Sequence, residues 1–138
     1  MLIETIGKDL TKTEVCWNTA CILIDKLMPN IRKLDLTIQL TRKNDVEIDP
    51  DDDRSFIINL EKDTSIPDLI RNLCHEMVHV KQYVLKEIND KNGFNNTYWK
   101  GEKVDKEIDY WALPWEVEAY NMEDQLLDFC YKKWYNDS

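Results

Sequence analysis

Apolar residues recur along this 138-residue chain with two different periods, and the changes of period divide it into elements. Val15, Cys16, Ala20, Ile22, Leu23 and Leu27 follow the spacing of an amphipathic helix over residues 9–28, which Pro29 and Asn30 end. Leu34, Leu36, Ile38 and Leu40 then alternate with polar residues, as a half-buried strand requires. Val46 and Ile48 repeat the alternation after the polar turn 41–44. Phe56, Ile58 and Leu60 repeat it after the turn 50–53. Turns this short predict that the three strands form an antiparallel meander. Asp51, Asp52 and Asp53 read as a solvated turn.

Helical spacing returns with Leu69, Leu73, Met77, Val80 and Val84. Ser65 is placed to cap this helix, Pro67 lies in its first turn and Asp68 near its positive end, and it is expected to run to about Glu87. Residues 89–112 carry no period and include Gly93 and Gly101, so they predict a long loop. Loops of that length are usually functional or disordered. The aromatics Phe94, Tyr98, Trp99, Tyr110 and Trp111 argue for order. Pro114 opens a last helix to about Trp134. The expected fold is α+β: an N-terminal helix, a three-stranded antiparallel sheet, a helix, a long loop and a C-terminal helix. All of it belongs to one domain, 1–138.

Composition narrows the function. Lys and Arg number 18 against 27 Asp and Glu, for a net charge of -9. That balance disfavours nucleic acid as a partner, because phosphate backbones are repelled. No apolar run approaches the roughly 20 residues that span a bilayer, and Met1 to Thr11 lacks the layout of a secretory signal. The expected setting is therefore the cytoplasm, without membrane attachment, as a monomer. Cys16, Cys21, Cys74 and Cys130 form no C-x-x-C pair and read as buried thiols rather than disulfides.

The chemistry sits in Cys74-His75-Glu76-Met77-Val78-His79, which holds the only two histidines of the chain. Residues four apart on a helix differ by about 40° in angle and one turn in height. Both imidazoles can therefore reach one metal ion. Glu76 is turned about 100° from His75. That places its carboxylate beside the metal, where it can take a proton from a water the metal polarises. A catalytic zinc site needs a third protein ligand and an open position. With no third histidine, that ligand must be Asp, Glu or Cys. Glu116 and Glu118, at the start of the last helix, are the candidates. Helical geometry favours Glu118, in line with Met122, Leu126 and Phe129. Glu116 lies in line with Glu123, which reads as a solvated face, but it stays open as the alternative.

His75-Glu76-x-x-His79 followed by a glutamate on a later helix resembles the gluzincin metallopeptidases, and the order of elements is similar to the smallest of them, the minigluzincins. Trp99-Lys100-Gly101 and Pro114-Trp115-Glu116-x-Glu118-Ala119-Tyr120 also resemble small HExxH proteins of bacteriophages and bacteria called SprT-like. The likeness covers roughly residues 55–125. It implies a zincin-like fold and a zinc-dependent peptidase in which His75, His79 and Glu118 bind Zn2+ and Glu76 is the general base. Thermolysin-like gluzincins carry an Asp four residues after the ligand glutamate. Met122 stands there in this chain, so the group that orients the ligand histidine must be another one.

Peptide hydrolysis needs a peptide or protein substrate to be held. Ser55 to Leu60, the strand before the HExxH helix, is the candidate for pairing with extended peptide. A donor for the developing oxyanion is expected among Tyr98, Tyr110 and Tyr120. Tyr110 is preferred because it lies in the long loop. The alternative function is a catalytically inactive zinc-binding interaction protein, in keeping with a viral factor. The intact Glu76 speaks against it, because a structural zinc site needs no base.

Overall fold

A computed structural model describes residues 1–90 and 96–137. Gly93 and Phe94 of the expected loop lie outside the described residues. The order is β1 (Leu2–Ile6), α1 (Leu10–Leu27), β2 (Asp35–Thr41), β3 (Asp45–Asp49), β4 (Asp52–Glu61), α2 (Ile66–Val84), β5 (Ile88–Asn89), β6 (Tyr98–Trp99), β7 (Glu102–Lys103), a 3-10 turn (Tyr110–Ala112) and α3 (Pro114–Asp137). The fold is mixed α/β, with three helices and two sheets among the described residues.

The main sheet is four-stranded in the order β1-β2-β4-β3, which corrects the expected three-stranded antiparallel meander. β1 runs parallel to β2 and β2 parallel to β4; only β3 is antiparallel, on the outer side of β4. The polar turn after β2 does not fold back on it. It crosses the end of β4, where the Glu61 N–H donates to Asn44 Oδ1 at 2.8 Å and the Lys62 N–H to the Thr41 carbonyl at 3.0 Å. β3 is thereby an edge strand and β4 an interior one. Phe56 to Asn59 is paired on both sides, so the strand Ser55 to Leu60 lies inside the sheet and is not the edge expected to take a peptide.

The register explains the alternation seen in the sequence. Leu36 faces Phe56, Ile38 faces Ile58 and Leu40 faces Leu60 across β2 and β4. These side chains form one core with Leu23 and Ile24 of α1, Leu69, Leu73 and Met77 of α2, and Ala119, Leu126 and Cys130 of α3. The opposite face of the sheet is open, with Ile57 left 38% exposed.

Local chemistry sets the helix ends. Asp9 caps α1 by accepting from the Lys12 N–H at 3.1 Å, and Ser65 caps α2 by accepting from the Asp68 N–H at 3.3 Å. α2 stops at Val84, ahead of the expected end near Glu87. Lys86 adopts a left-handed φ of 59°, and the Glu87 N–H turns back to the Gln82 carbonyl at 2.8 Å. The segment expected to be a structureless loop contains the second sheet, β5-β6-β7. Its β6–β7 turn has positive φ at both central residues, 49° at Lys100 and 87° at Gly101, which is the backbone of a type I′ hairpin.

No helix among the described residues is long and apolar enough to cross a membrane. Cys16, Cys74 and Cys130 are buried and Cys21 half-buried, all as free thiols.

Candidate metal centre

Helix α2 presents His75 and His79 toward α3, and α3 meets them with Glu116. The Nε2 atoms of His75 and His79 are 3.2 Å apart, and each lies 3.0 Å from the same Glu116 oxygen, Oε1. Ligand atoms held about 2.0–2.1 Å from a tetrahedral ion stand about 3.3 Å apart. The spacing here is close to that. His75, His79 and Glu116 are buried and could together hold a metal ion.

The outer ring nitrogens decide what the inner ones carry. His75 Nδ1 lies 2.8 Å from Glu123 Oε1, and His79 Nδ1 lies 2.8 Å from Gln82 Oε1. Both partners are acceptors, so both Nδ1 atoms carry a proton, and while the rings are neutral both Nε2 atoms present lone pairs. With neutral rings three acceptors converge on one point, which is unfavourable unless ring protons or a metal cation sit between them. The pKa shifts report the same need for positive charge. Burial pushes His75 and His79 down, but hydrogen bonding to Glu116 and nearby carboxylates outweighs it, and both move up. Burial pushes Glu116 up, yet hydrogen bonds from His75 and His79 and their charge bring it to about 2.

Glu76 stands apart from this donor set. It is 6% exposed, and its Oε2 has no hydrogen-bond partner among the described residues. Burial raises its carboxyl to about 7, although His79 and His75 pull the other way. A buried carboxylate oxygen without a partner, close to His75 and His79, is free to accept a proton.

Glu118 is not in the cluster, contrary to the expected assignment. Its Oε1 accepts from Lys81 Nζ at 2.6 Å and from Gln82 Nε2 at 3.0 Å. The physical reason lies in how α3 meets α2. Around α3, Glu116 and Glu123 lie about 20° apart and next to the line of Ala119 and Cys130, two residues buried against the core, whereas Glu118 is turned about 160° from Glu116. The line of Glu116 and Glu123 is a site face rather than a solvated one. Its signal was present in the sequence as two acids seven residues apart on the side that carries Ala119.

Glu123 fills the orienting role that Met122 cannot. It holds His75 and lies 3.9 Å from Arg71, which also pairs with Asp124. The Tyr120 ring lies against His75, with centroids 4.5 Å apart. Tyr110 Oη is 3.5 Å from Tyr120 Oη, and Trp111 packs on Tyr120 at 5.2 Å. Burial, Tyr120 and the Glu116 carboxylate together push the Tyr110 hydroxyl upward, so it stays a neutral donor. Tyr98 lies in β6, where the register pairs it with Asn89 and Lys103. No protein-family model, curated protein or solved structure matches this chain.

Proposed function

We propose that the chain is a zinc-dependent peptidase of the gluzincin type, with His75, His79 and Glu116 as ligands. The observation that carries the reading is the pairing of three converging lone-pair donors with a buried carboxylate that has no partner. The donor set, two imidazoles and a carboxylate, suits zinc and leaves a fourth position open. Zinc held there supplies Lewis acidity, polarising a carbonyl and bringing the pKa of a water to about 7.

The side chains then have separable tasks. Glu76 Oε2 accepts a proton from the attacking water as its oxygen bonds to the carbonyl carbon. When the carbon–nitrogen bond breaks, that proton passes to the leaving amine. A carboxyl near neutrality suits both directions of transfer. Tyr110 and Tyr120 supply hydroxyls beside the cluster as donors to the developing oxyanion. The peptide pairs with the outer edge of β3, Asp45–Asp49, since β4 lies between β2 and β3.

The test is cleavage of a mixed peptide library at neutral pH, with and without chelator, by wild type and Glu76→Gln. The substitution keeps shape and removes proton acceptance. Zinc content should stay at that of wild type, while hydrolysis falls by the ~10²–10⁴-fold of a lost general base. Equal cleavage by both proteins would remove Glu76 from the reaction. Full zinc in both with no cleavage by either would favour the zinc-binding interaction protein.

A further inference from the structure

We propose that Glu118 is a positioning residue for His79, acting through Gln82 to fix which imidazole nitrogen faces the metal. The proposal rests on reading His75, His79 and Glu116 as metal ligands.

The two histidines are oriented by different means. His75 Nδ1 meets the Glu123 carboxylate directly, and a carboxylate can only accept. His79 Nδ1 meets an amide, and an amide can offer either its oxygen or its NH2. Were the NH2 turned toward it, Nδ1 would have to be the acceptor. Nε2 would then carry the proton, and no lone pair would be left for a metal.

What turns the amide is on its far side. Gln82 is fully buried, and its Nε2 donates to two oxygens, the Trp115 carbonyl at 2.9 Å and Glu118 Oε1 at 3.0 Å. Neither can donate, so both demand the NH2 end of the amide, and Oε1 is left facing His79. Trp115 gives a neutral hydrogen bond. Glu118 gives a charge-assisted one, roughly twice as strong.

Glu118 is in turn held by the Lys81 ammonium at 2.6 Å. Lys81 also contacts Glu87 Oε1 at 2.7 Å. The chain from His79 through Gln82 and Glu118 to Lys81 therefore crosses from α2 to α3 and back. Every link in it has one permitted direction. Neither Gln82 nor Glu118 belongs to the metal group, yet together they set the tautomer of one of its members.

Two measurements on the full chain test this. The first uses metal-free protein and reads the imidazole 15N shifts of His79 at alkaline pH, where the ring is neutral. Wild type should show Nδ1–H. Glu118→Ala should shift the population toward Nε2–H, since the Glu116 carboxylate waits on that side. The second is zinc affinity by chelator competition. Glu118→Ala should weaken it by roughly 10–100-fold, the usual loss for a group that orients a ligand. Gln82→Glu alone should also weaken it, by setting a third acceptor against Glu118 and the Trp115 carbonyl.

The double variant Gln82→Glu/Glu118→Gln reverses the polarity of the pair. The carboxylate at position 82 then accepts from His79 Nδ1 and from the amide at position 118, whose oxygen still faces Lys81. Affinity should recover most of the loss, a rescue that a mere packing role would not produce. An unchanged tautomer together with zinc affinity within about threefold of wild type in Glu118→Ala would overturn the proposal, as would a double variant no better than its singles. Zinc binding that survives His79→Ala would instead sink the metal reading. In that case the tautomer of the metal-free protein still decides the role of Glu118.

Discussion

Glu116 and Glu118 stand two positions apart on α3, both near α2, and their surroundings have opposite signs of need. Glu118 has its cation: Lys81 Nζ is 2.6 Å away and holds the carboxyl below its ordinary value, although burial pushes the other way. Glu116 meets two histidines whose outer nitrogens are already committed, so its nearest partners are lone pairs or protons. A carboxylate that already has an ammonium is satisfied and structural. One that meets two imidazole nitrogens whose rings are already committed on their outer side belongs to a group that could hold a metal ion. The comparison separates ligand from scaffold by asking of each acid what neutralises it.

The largest effect should fall on that distinction. Purified wild type should carry about one zinc per chain, and Glu116→Gln should lose it through gel filtration, as His75→Ala and His79→Ala should. Glu118→Gln keeps an acceptor for Gln82 and should retain near-stoichiometric zinc at micromolar concentrations, with weakened affinity only. Mass spectrometry of metal content checks all four. A zinc-free Glu118→Gln beside a zinc-loaded Glu116→Gln would exchange the two roles.

This distinction also marks where sequence reasoning stopped. Helix α2 and its motif were legible because every signal was local: the Ser65 cap, Pro67, Asp68, and two histidines one turn apart. The choice between Glu116 and Glu118 was not local. It depends on which side of α3 faces α2, and on Lys81, which lies 37 positions away in the chain. The same limit applies to the sheet. Alternation in Leu34–Leu40 and Phe56–Leu60 identified strands, but alternation does not encode which strands are neighbours. The turn 42–44 looks like a hairpin turn until β4 is placed between the strands it joins. β1 alternates too, but Leu2 and Ile6 remain half exposed on the open face, so no core demanded them. The second sheet has strands of two residues, too short to show a period.

A smaller effect concerns pH and the acid that is neither ligand nor ion-paired. Burial raises Glu76 to about 7 in the folded chain from an ordinary value of 4.5. The folded state therefore binds its proton more tightly than the unfolded one. Below the unfolded value both states are protonated and Glu76 costs nothing. Between the two values the unfolded chain gives up its proton while the native state keeps it, so stability falls as pH rises and levels off once both states are ionised. Glu76→Gln removes that loss. In metal-free protein the variant should match wild type near pH 4.5 and gain on it as pH rises to about 7, reaching at most about 3 kcal/mol before levelling off. Urea titrations of both proteins across this range check it. A difference independent of pH would mean that Glu76 is not desolvated as the fold places it.

The smallest predicted effect probes the satisfied side of the comparison. Lys81 is 8% exposed and bridges Glu118 at 2.6 Å and Glu87 at 2.7 Å. Lys81→Met keeps most of the stem's packing and removes the charge from between two carboxylates. Breaking a fully buried pair costs ~3–5 kcal/mol, because an uncompensated charge stays behind. Here the side chains of Glu118 and Glu87 keep 22% and 18% of their surface in solvent, and Lys100 Nζ lies 3.8 Å from Glu87. The cost should therefore be nearer 2 kcal/mol, about 4–8 °C in Tm for a chain of this size. Lys81→Met/Glu118→Met should regain part of it, since fewer charges are stranded, while Glu87 keeps Lys100. Thermal melts of metal-free wild type and the two variants test the ordering. If the double variant melts below Lys81→Met, Glu118 does more in the fold than answer Lys81 and turn Gln82.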